Sequence, residues 1–269
     1  MTDRPGPLIV IGGHEDKTGD RTILERVAQY VGGGQLVIAT VASHEPDGYL
    51  EAYRKAFADL GLTDLVELYI HHRGEALDGT YDHILAGAAG VFFSGGDQLR
   101  ISSQIGDTPL CALIHDLRAR GGLIAGTSAG ASVMSETMLV GGSGDESYRI
   151  GDLHMAPGLG LIPGVVIDQH FAERGRLGRL LGAVAQNPRV LGIGIDEDTA
   201  IVLVDTVFEV IGVGAVTIID GAKVSQSNIA EAQPERTLSM HDVTLHVLST
   251  GDHFDLKRRR PCDPPSAPE

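Results

Sequence analysis

The sequence contains no tryptophan, and phenylalanine and tyrosine supply the whole aromatic content of 4%. Binding of single-stranded nucleic acid by base stacking requires aromatic side chains, so this composition argues against such a surface. Basic residues are also few, with 21 Lys and Arg against 36 Asp and Glu, and the net charge is -15. This charge disfavours contact with a phosphate backbone, and we expect no nucleic-acid partner.

Cysteine and long apolar segments are equally scarce. Cys111 and Cys262 are the only cysteines, too few for a disulfide framework or a cysteine-based metal site. The sequence has neither an apolar run of bilayer length nor the pattern of an N-terminal signal peptide. We therefore expect a cytoplasmic protein without a membrane partner.

The residues that are present describe alternating strands and helices. Apolar residues make up 42% of the chain and glycines number 36, which is typical of a globular protein rich in tight turns. Short apolar runs predict strands at residues 7–11, 35–42, 65–70, 90–93, 122–126, 165–167 and 190–195. Helical spacing predicts helices at residues 18–31, 51–60, 81–89, 110–120, 129–135 and 174–185. This alternation predicts an α/β fold with a mostly parallel sheet flanked by helices on both faces.

The remaining segments complete the predicted organisation. Residues 138–157 are glycine-rich and polar, and we interpret them as an active-site loop. Residues 200–248 consist mainly of strand-forming sequence, which predicts a C-terminal β extension of the sheet. We predict a single domain over residues 1–256 and a flexible tail over residues 257–269.

One stretch, from Gly122 to Ala131, combines an apolar strand with a tight turn of small residues. Within it, residues 126–130 read Gly-Thr-Ser-Ala-Gly and fit the pattern G-x-S-x-G. In this arrangement a buried strand turns sharply into a helix, and the serine hydroxyl is exposed at the edge of the sheet. Small residues also occur wherever a helix packs closely on a sheet, so the motif alone leaves a purely structural interpretation open. The functional interpretation makes Ser128 a nucleophile.

A serine nucleophile needs a base, and that base needs an acceptor that orients it. Ligands of open α/β sheets bind beyond the carboxyl ends of the strands, where this sequence places Ser128, His170 and Glu197. Asp196 and Asp198 compete with Glu197 for the role of acceptor, because successive residues leaving a strand point in opposite directions.

Other histidines carry less support. His14 and His44 also follow predicted strands and are secondary candidates for lining the site. The order serine, histidine, acid differs from that of α/β-hydrolases, in which the acid precedes the histidine. The fold instead resembles that of class I glutamine amidotransferases.

Five segments together resemble the cyanophycinase family. They are Gly-Gly-Asp-Gln at 95–98, Gly-Thr-Ser-Ala-Gly-Ala at 126–131, Gly-Asp-Leu-His-Met-Ala-Pro-Gly-Leu-Gly-Leu at 151–161, Asp-Gln-His-Phe-Ala-Glu-Arg-Gly-Arg-Leu-Gly-Arg at 168–179 and Gly-Ile-Gly-Ile-Asp-Glu-Asp-Thr-Ala at 192–200. Cyanophycinases are serine exopeptidases that degrade cyanophycin, an aspartate polymer that carries arginine on each β-carboxyl. The resemblance implies cleavage of backbone peptide bonds to β-aspartyl-arginine dipeptides by a homodimer that uses neither a metal nor an organic cofactor.

The resemblance also assigns roles to individual residues. Ser128 would be the nucleophile, His170 the base and Glu197 its partner, while Gly96, Asp97 and Ala129 would supply backbone donors to the oxyanion. The substrate-binding positions would be Gln98, Asp168, Gln169, Arg174, Arg176 and Arg179. Arginine side chains suit the substrate carboxylates, and Asp168 or another acid would accept the guanidinium groups. A surface network of ion pairs is the simpler interpretation of these arginines.

Three alternatives remain. An aspartyl dipeptidase of the same fold would act on small peptides and leave the polymer intact. A nucleotide-binding module is only weakly suggested, because the chain has no G-x-G-x-x-G and no G-x-x-x-x-G-K-[ST]. A non-catalytic member of the fold is disfavoured by the presence of all three triad residue types in the expected order.

Overall fold

The computed structural model describes residues 4–141, 153–231 and 236–265. Helices in these ranges are α1 (Thr22–Val31), α2 (Tyr49–Ala58), α3 (Gly74–Leu77), α4 (Asp82–Ala86), α5 (Gln98–Ile105), α6 (Pro109–Ala119), α7 (Ala129–Ser132) and α8 (Leu177–Gln186), with a 3₁₀ turn at Ile229–Glu231. Among these helices, none combines the length and the apolar character that crossing a bilayer requires.

A nine-stranded sheet forms the centre of the fold. Its strands are β1 (Leu8–Ile11), β2 (Gln35–Ala39), β3 (Leu65–Leu68), β4 (Ala88–Phe93), β5 (Leu123–Thr127), β10 (Thr199–Val204), β11 (Val207–Gly212), β16 (His253–Asp255) and β17 (Arg260–Cys262). They lie in the order β17-β16-β11-β10-β1-β5-β4-β2-β3. The five strands from β1 to β3 are parallel, and the four on the other side pair antiparallel. The α/β class predicted from the sequence is confirmed.

A second sheet carries the later strands of the predicted site. It contains β8 (Val165–Gln169), β9 (Leu191–Ile195), β12 (Val216–Asp220) and β15 (Thr244–Leu248) in the order β15-β12-β9-β8. The strands β8 and β9 are parallel, and both end towards the site. Two small hairpin-like pairs remain: β6 (Thr137–Gly141) with β7 (His154–Pro157), and β13 (Gln226–Ser227) with β14 (Met240–His241).

Alternation along the buried strands places apolar side chains on both faces of the large sheet. Leu8 and Val10 of β1 face one core, and Ile9 and Ile11 face the other. The helices α5 and α6 pack on the first face, and α1 and α2 on the second. In α1 the buried residues recur at helical spacing, so one stripe of that helix covers the sheet. The predicted helical layers on both faces are present.

Several boundaries differ from the sequence-based expectation. The helix predicted from residue 18 begins at Thr22, because the Asp16 carboxylate holds the backbone amides of Thr18, Gly19 and Arg21 in a turn. Helix α5 was absent from the prediction; it begins where the Asp97 carboxylate accepts a hydrogen bond from the Leu99 amide at 2.8 Å.

The two irregular segments also contain strands. Parts of the predicted loop at 138–157 form β6 and β7, and its residues 142–152 lie outside the described residues. Within the predicted tail, Arg260–Cys262 pairs with β16 and Arg259 donates to the Asp220 carboxylate at 2.8 Å. This part of the tail is therefore an edge of the large sheet, and residues 266–269 lie outside the described residues.

Candidate active site

Ser128 occupies a strained turn between β5 and α7. Its φ of 54° and ψ of -113° are unusual for an L-residue, and its amide donates to the Ile11 carbonyl at 3.0 Å. The small neighbours have a steric reason. A Cβ at Gly130 would lie 2.4 Å from the Phe93 carbonyl oxygen, and a Cβ at Gly126 would lie 2.4 Å from the Gly130 carbonyl oxygen. The G-x-S-x-G pattern thus forms the sharp turn that the sequence predicts.

The structure brings Ser128, His170 and Glu197 together. Ser128 Oγ lies 2.9 Å from His170 Nε2, and His170 Nδ1 lies 2.5 Å from Glu197 Oε1. The serine follows a strand of the large sheet, whereas the histidine and the glutamate follow β8 and β9 of the second sheet. This chain of contacts can pass a proton from a hydroxyl to an imidazole that a carboxylate holds in place.

The loop after β1 ties the two sheets together at this point. The Gly12 carbonyl accepts a hydrogen bond from the His170 amide at 2.7 Å, and the Gly13 carbonyl accepts one from the Asp198 amide at 2.8 Å. A Cβ at Gly13 would lie 2.3 Å from His170 Cε1, and the φ of Gly13 is +111°. Glycine at position 13 therefore allows the imidazole to pack directly on the backbone.

For both His170 and Glu197, burial and hydrogen bonding shift the pKa in opposite directions. Burial lowers the pKa of His170, and the hydrogen bond from His170 to Glu197 offsets this only in part. Burial alone would raise the pKa of Glu197, but hydrogen bonds from His14 and His170 outweigh it and the pKa lies below its usual value. A neutral imidazole beside an ionised carboxylate is the protonation state that a general base requires.

The other two candidate acids, Asp196 and Asp198, accept backbone amides instead of contacting His170. The Asp196 carboxylate accepts the amides of Ala172 and Ala215, each at 3.0 Å. The Asp198 carboxylate accepts the amide of Asp16 at 2.8 Å, and burial raises its pKa. Both aspartates therefore hold loops around the site, and Glu197 is the acid that contacts His170.

The segment after β4 approaches the serine, as a Cβ at Gly95 would lie 3.4 Å from Ser128 Cβ. The Asp97 amide donates to the Ala42 carbonyl at 2.9 Å and is not free to bind an oxyanion, which corrects the sequence-based expectation. Within the described ranges, the amides of Gly96 and Ala129 have no hydrogen-bond acceptor. These two amides remain as candidate oxyanion donors.

A pocket of about 550 Å³ opens beside the serine. Five of the predicted substrate-binding residues line it: Gln98, Gln169, Arg174, Arg176 and Arg179. The Gln169 side-chain oxygen accepts a hydrogen bond from Ser128 Oγ at 3.4 Å, and Gln98 donates to the Leu139 carbonyl at 2.7 Å. His44 does not line this pocket, whereas His14 does.

Asp168 lies behind the pocket and is fully buried. Its carboxylate accepts hydrogen bonds from Arg176 Nη1 at 3.1 Å and from Arg179 Nε at 2.6 Å. Burial lowers the pKa of Arg176 to about 10, although the charge of Asp168 opposes this shift. Asp168 is thus occupied by protein guanidinium groups and cannot accept one from a substrate, which corrects that expectation. Its contribution is to orient two arginines at the pocket wall.

Sequence analysis missed a group of residues at the floor of the pocket. The carboxylate of Glu15 is buried and accepts hydrogen bonds from Thr127 at 2.5 Å, from Tyr53 at 2.7 Å and from Lys17 at 2.6 Å. Burial, followed by the charge of Glu15, raises the pKa of Tyr53 well above its usual value. The sequence signal for these residues is the run of polar residues that follows the first strand. The sequence analysis names only His14 of that run as a candidate for lining the site. Glu15 therefore holds in place both Lys17 and Thr127, the residue that precedes Ser128.

His14 makes a second contact with the triad acid. Its Nδ1 lies 2.7 Å from Glu197 Oε2, so the carboxylate bridges two imidazoles. The donor atoms of His14, His170 and Glu197 lie within 4.8 Å of one another, and this is the one cluster of His, Cys, Asp or Glu in the described part of the chain with metal-ligand spacing.

Comparisons with known proteins show what the chain is similar to along most of its length. The chain is 41% identical over 258 residues to the cyanophycinase of Geminocystis herdmanii (strain PCC 6308), covering 94% of this chain and 95% of that protein. It is also 41% identical over 257 residues to the cyanophycinase of Nostoc sp. (strain PCC 7120), covering 94% and 86%. The crystal structure of a peptidase from an acI-B1 Actinobacterium is similar, with a TM-score of 0.65, 25% identity and coverage of 90% and 97%.

A second solved structure, a putative peptidase E protein from Listeria monocytogenes EGD-e, covers 78% of this chain and 100% of its own. Its TM-score is 0.54 at 18% identity, which shows a shared fold alone. Residues 8–211 match peptidase family S51, and this range includes Ser128, His170, Glu197 and all the residues that line the pocket. The chain belongs to peptidase family S51.

Proposed function

We propose that this protein is a serine exopeptidase that hydrolyses cyanophycin to β-aspartyl-arginine dipeptides. The observation that carries the proposal is the identity of about 40% with curated cyanophycinases along 94% of the chain. The contacts among Ser128, His170 and Glu197 support a serine mechanism for this activity.

The proposed reaction begins with attack of Ser128 Oγ on a backbone carbonyl of the polymer. His170 Nε2 takes the hydroxyl proton, and Glu197 holds the Nδ1 proton and stabilises the imidazolium. The amides of Gly96 and Ala129 bind the oxyanion of the tetrahedral intermediate. His170 then protonates the leaving amine and later takes a proton from the water that hydrolyses the acyl-enzyme.

The charge of the pocket supports an acidic backbone as the substrate. Four cations, Lys17, Arg174, Arg176 and Arg179, line it together with Glu15. Arginine forks bind carboxylates in a bidentate manner, so these side chains suit the carboxylates of an aspartyl chain end. Arg174 is exposed, and no hydrogen bond of its guanidinium to a described residue occurs. We assign Arg174 to direct contact with substrate, and Arg176 and Arg179 to an arginine pair that Asp168 orients.

Two properties that the family resemblance implies belong to the same proposal. We propose that the protein acts as a homodimer in the cytoplasm. Light scattering of the purified protein measures the first property, and fractionation of the native cells measures the second. A monomeric mass would contradict the homodimer without affecting the hydrolytic mechanism.

Digestion of insoluble cyanophycin tests the proposed activity. The wild-type protein should release soluble β-aspartyl-arginine dipeptides that mass analysis identifies, whereas Ser128→Ala should release none. Ser102→Ala is a matched control, because among the described residues its hydroxyl donates only to the Leu99 carbonyl on helix α5, and its loss should not affect hydrolysis.

Two outcomes would contradict the proposal. Efficient digestion of casein would show that the pocket does not select an arginine-bearing aspartyl chain. Turnover of small aspartyl dipeptides with the polymer untouched would favour the dipeptidase alternative and keep the triad.

A further inference from the structure

We propose that His14, His170 and Glu197 form a binding site for a zinc ion, and that zinc bound there blocks hydrolysis. The binding half of this proposal depends only on the geometry of the three side chains. The blocking half rests on the proposed function, because it requires His170 to act as the base.

The three side chains already converge on one point. Glu197 presents one carboxylate oxygen to each imidazole, at 2.7 Å from His14 Nδ1 and 2.5 Å from His170 Nδ1. The two rings meet edge to face with their centroids 5.0 Å apart. All three donor atoms lie within 4.8 Å of one another, so a single ion can reach each of them after small movements.

The donor set favours zinc over magnesium and calcium. Two imidazole nitrogens and one carboxylate form the ligand set of many open zinc sites, in which water occupies the fourth position. Magnesium and calcium prefer oxygen ligands throughout and would gain little from two imidazoles. The His14 side chain is 71% exposed, so an ion and its water can enter from solvent.

The backbone that carries these ligands is fixed before any ion arrives. His14 and His170 both have positive φ values, of 49° and 48°. The carbonyl groups of Gly12 and Gly13 accept the amides of His170 and Asp198, which joins the three ligand-bearing loops. Ligands at about 2.1 Å from zinc in a tetrahedron lie about 3.4 Å apart, so the two short nitrogen–oxygen distances must widen by less than about 1 Å. The largest separation among the three donor atoms, at most 4.8 Å, must close by at most about 1.4 Å. The exposed His14 side chain can supply most of this movement.

Zinc at this position would disable the base by changing its tautomer. General-base catalysis requires the tautomer of neutral His170 with its proton on Nδ1, because Nδ1, 2.5 Å from Glu197, then donates to the carboxylate and Nε2 keeps its lone pair for the serine proton. Zinc binds through the Nδ1 lone pair, so the single ring proton moves to Nε2 and no electrons are transferred. Nε2 then carries a hydrogen and cannot accept another from Ser128. Holding a triad histidine in the wrong tautomer is known to abolish most catalysis.

Calorimetric titration with zinc chloride tests the binding half without any need for activity. The Ser128→Ala protein should bind one zinc ion, and His14→Ala in the same background should bind it at least about tenfold more weakly. His14→Gln is a second variant, because its amide can still donate to Glu197 while it is a poor zinc ligand. His72→Ala is the matched control, since His72 lies 3.8 Å from Glu75 on the surface and should not alter zinc affinity.

Two results of the titration would overturn the proposal. One is the absence of zinc binding by folded Ser128→Ala protein. The other is equal zinc affinity in the parent and in both folded His14 variants.

Hydrolysis measurements test the blocking half. Zinc should inhibit the wild-type protein, and a chelator should restore the rate. For His14→Ala, inhibition is measured relative to the rate of the same variant without zinc. This variant should need at least about tenfold more zinc than the wild-type protein to lose the same fraction of its rate. Full hydrolysis by zinc-loaded wild-type protein would refute the blocking half. If the wild-type protein did not hydrolyse cyanophycin at all, the proposed function would fail while the titration would still decide the binding half.

Discussion

Replacement of Gly13 by alanine should disable the site by displacing His170 while leaving every triad residue in place. The added Cβ would lie 2.3 Å from His170 Cε1 and 2.6 Å from Nε2. Ordinary van der Waals contact begins near 3.4 Å, so the ring or the loop must retreat by about 1 Å. His170 is buried and its amide donates a hydrogen bond to the Gly12 carbonyl. The imidazole therefore has little room to move without losing its contact with Ser128 or with Glu197.

The expected effect follows from this displacement. A misplacement of about 1 Å in a catalytic group can reduce turnover about a hundredfold. The φ of +111° adds backbone strain for any L-side chain, which costs on the order of 1–3 kcal/mol of folding stability. We therefore expect Gly13→Ala to lower kcat for dipeptide release about a hundredfold or more, with a smaller change in KM and a reduced melting temperature.

Gly160→Ala provides the matched control. Gly160 has a φ of +68°, and nothing lies within 4 Å of an added Cβ at that position. This variant should lose comparable stability to backbone strain and retain its kcat. Wild-type turnover by folded Gly13→Ala protein would refute the argument that contact with this glycine fixes the imidazole.

The remaining predictions concern the triad and the buried aspartate. Ser128→Ala should remain folded by circular dichroism and lose on the order of a millionfold in turnover, and unchanged hydrolysis by rigorously purified protein would contradict the assignment of Ser128 as the nucleophile. Glu197→Gln should lose up to about ten-thousandfold in kcat because an amide favours the wrong imidazole tautomer, whereas Asp198→Asn should keep most activity; the reverse pattern would reassign the acid. Because burial lowers the pKa of His170, the acid limb of a kcat/KM profile should have its midpoint below about 6.5, and a midpoint above 7 would contradict a depressed pKa. Asp168→Asn should leave the guanidinium groups of two buried arginines without their counter-charge, at a cost of about 3–5 kcal/mol, and an unchanged melting temperature would show that this pairing contributes little.

The sequence was sufficient for the parts of the site that have a local pattern. The tight turn at Ser128 was predictable because its steric demands fall on adjacent residues, two of which must be glycine. The positions of His170 and Glu197 at strand ends were predictable because the carboxyl ends of parallel strands face the same edge. Their catalytic roles remain predictions until the variants are measured.

Features that depend on long-range pairing were not predictable in the same way. Nothing in the local sequence shows that Asp168 is already paired with Arg176 and Arg179, because an acid near arginines is equally compatible with an open binding site. The same holds for the Asp97 amide, whose acceptor belongs to Ala42 on a different loop. Glu15 was overlooked because a buried carboxylate is rare unless it is paired, and its partners Tyr53 and Thr127 are distant in sequence.

Four of the site residues, His14, Ser128, His170 and Asp198, have positive φ values although none is glycine. Each such conformation costs on the order of 1–2 kcal/mol, so the backbone conformations of the site lower the free energy of unfolding of the protein. Screening of random variants for heat resistance alone should therefore recover glycine at some of these positions, and such a change at Ser128 or His170 would remove turnover. Engineering of a thermostable form should leave these four positions fixed and seek its gains in the helices and sheet edges distant from the pocket.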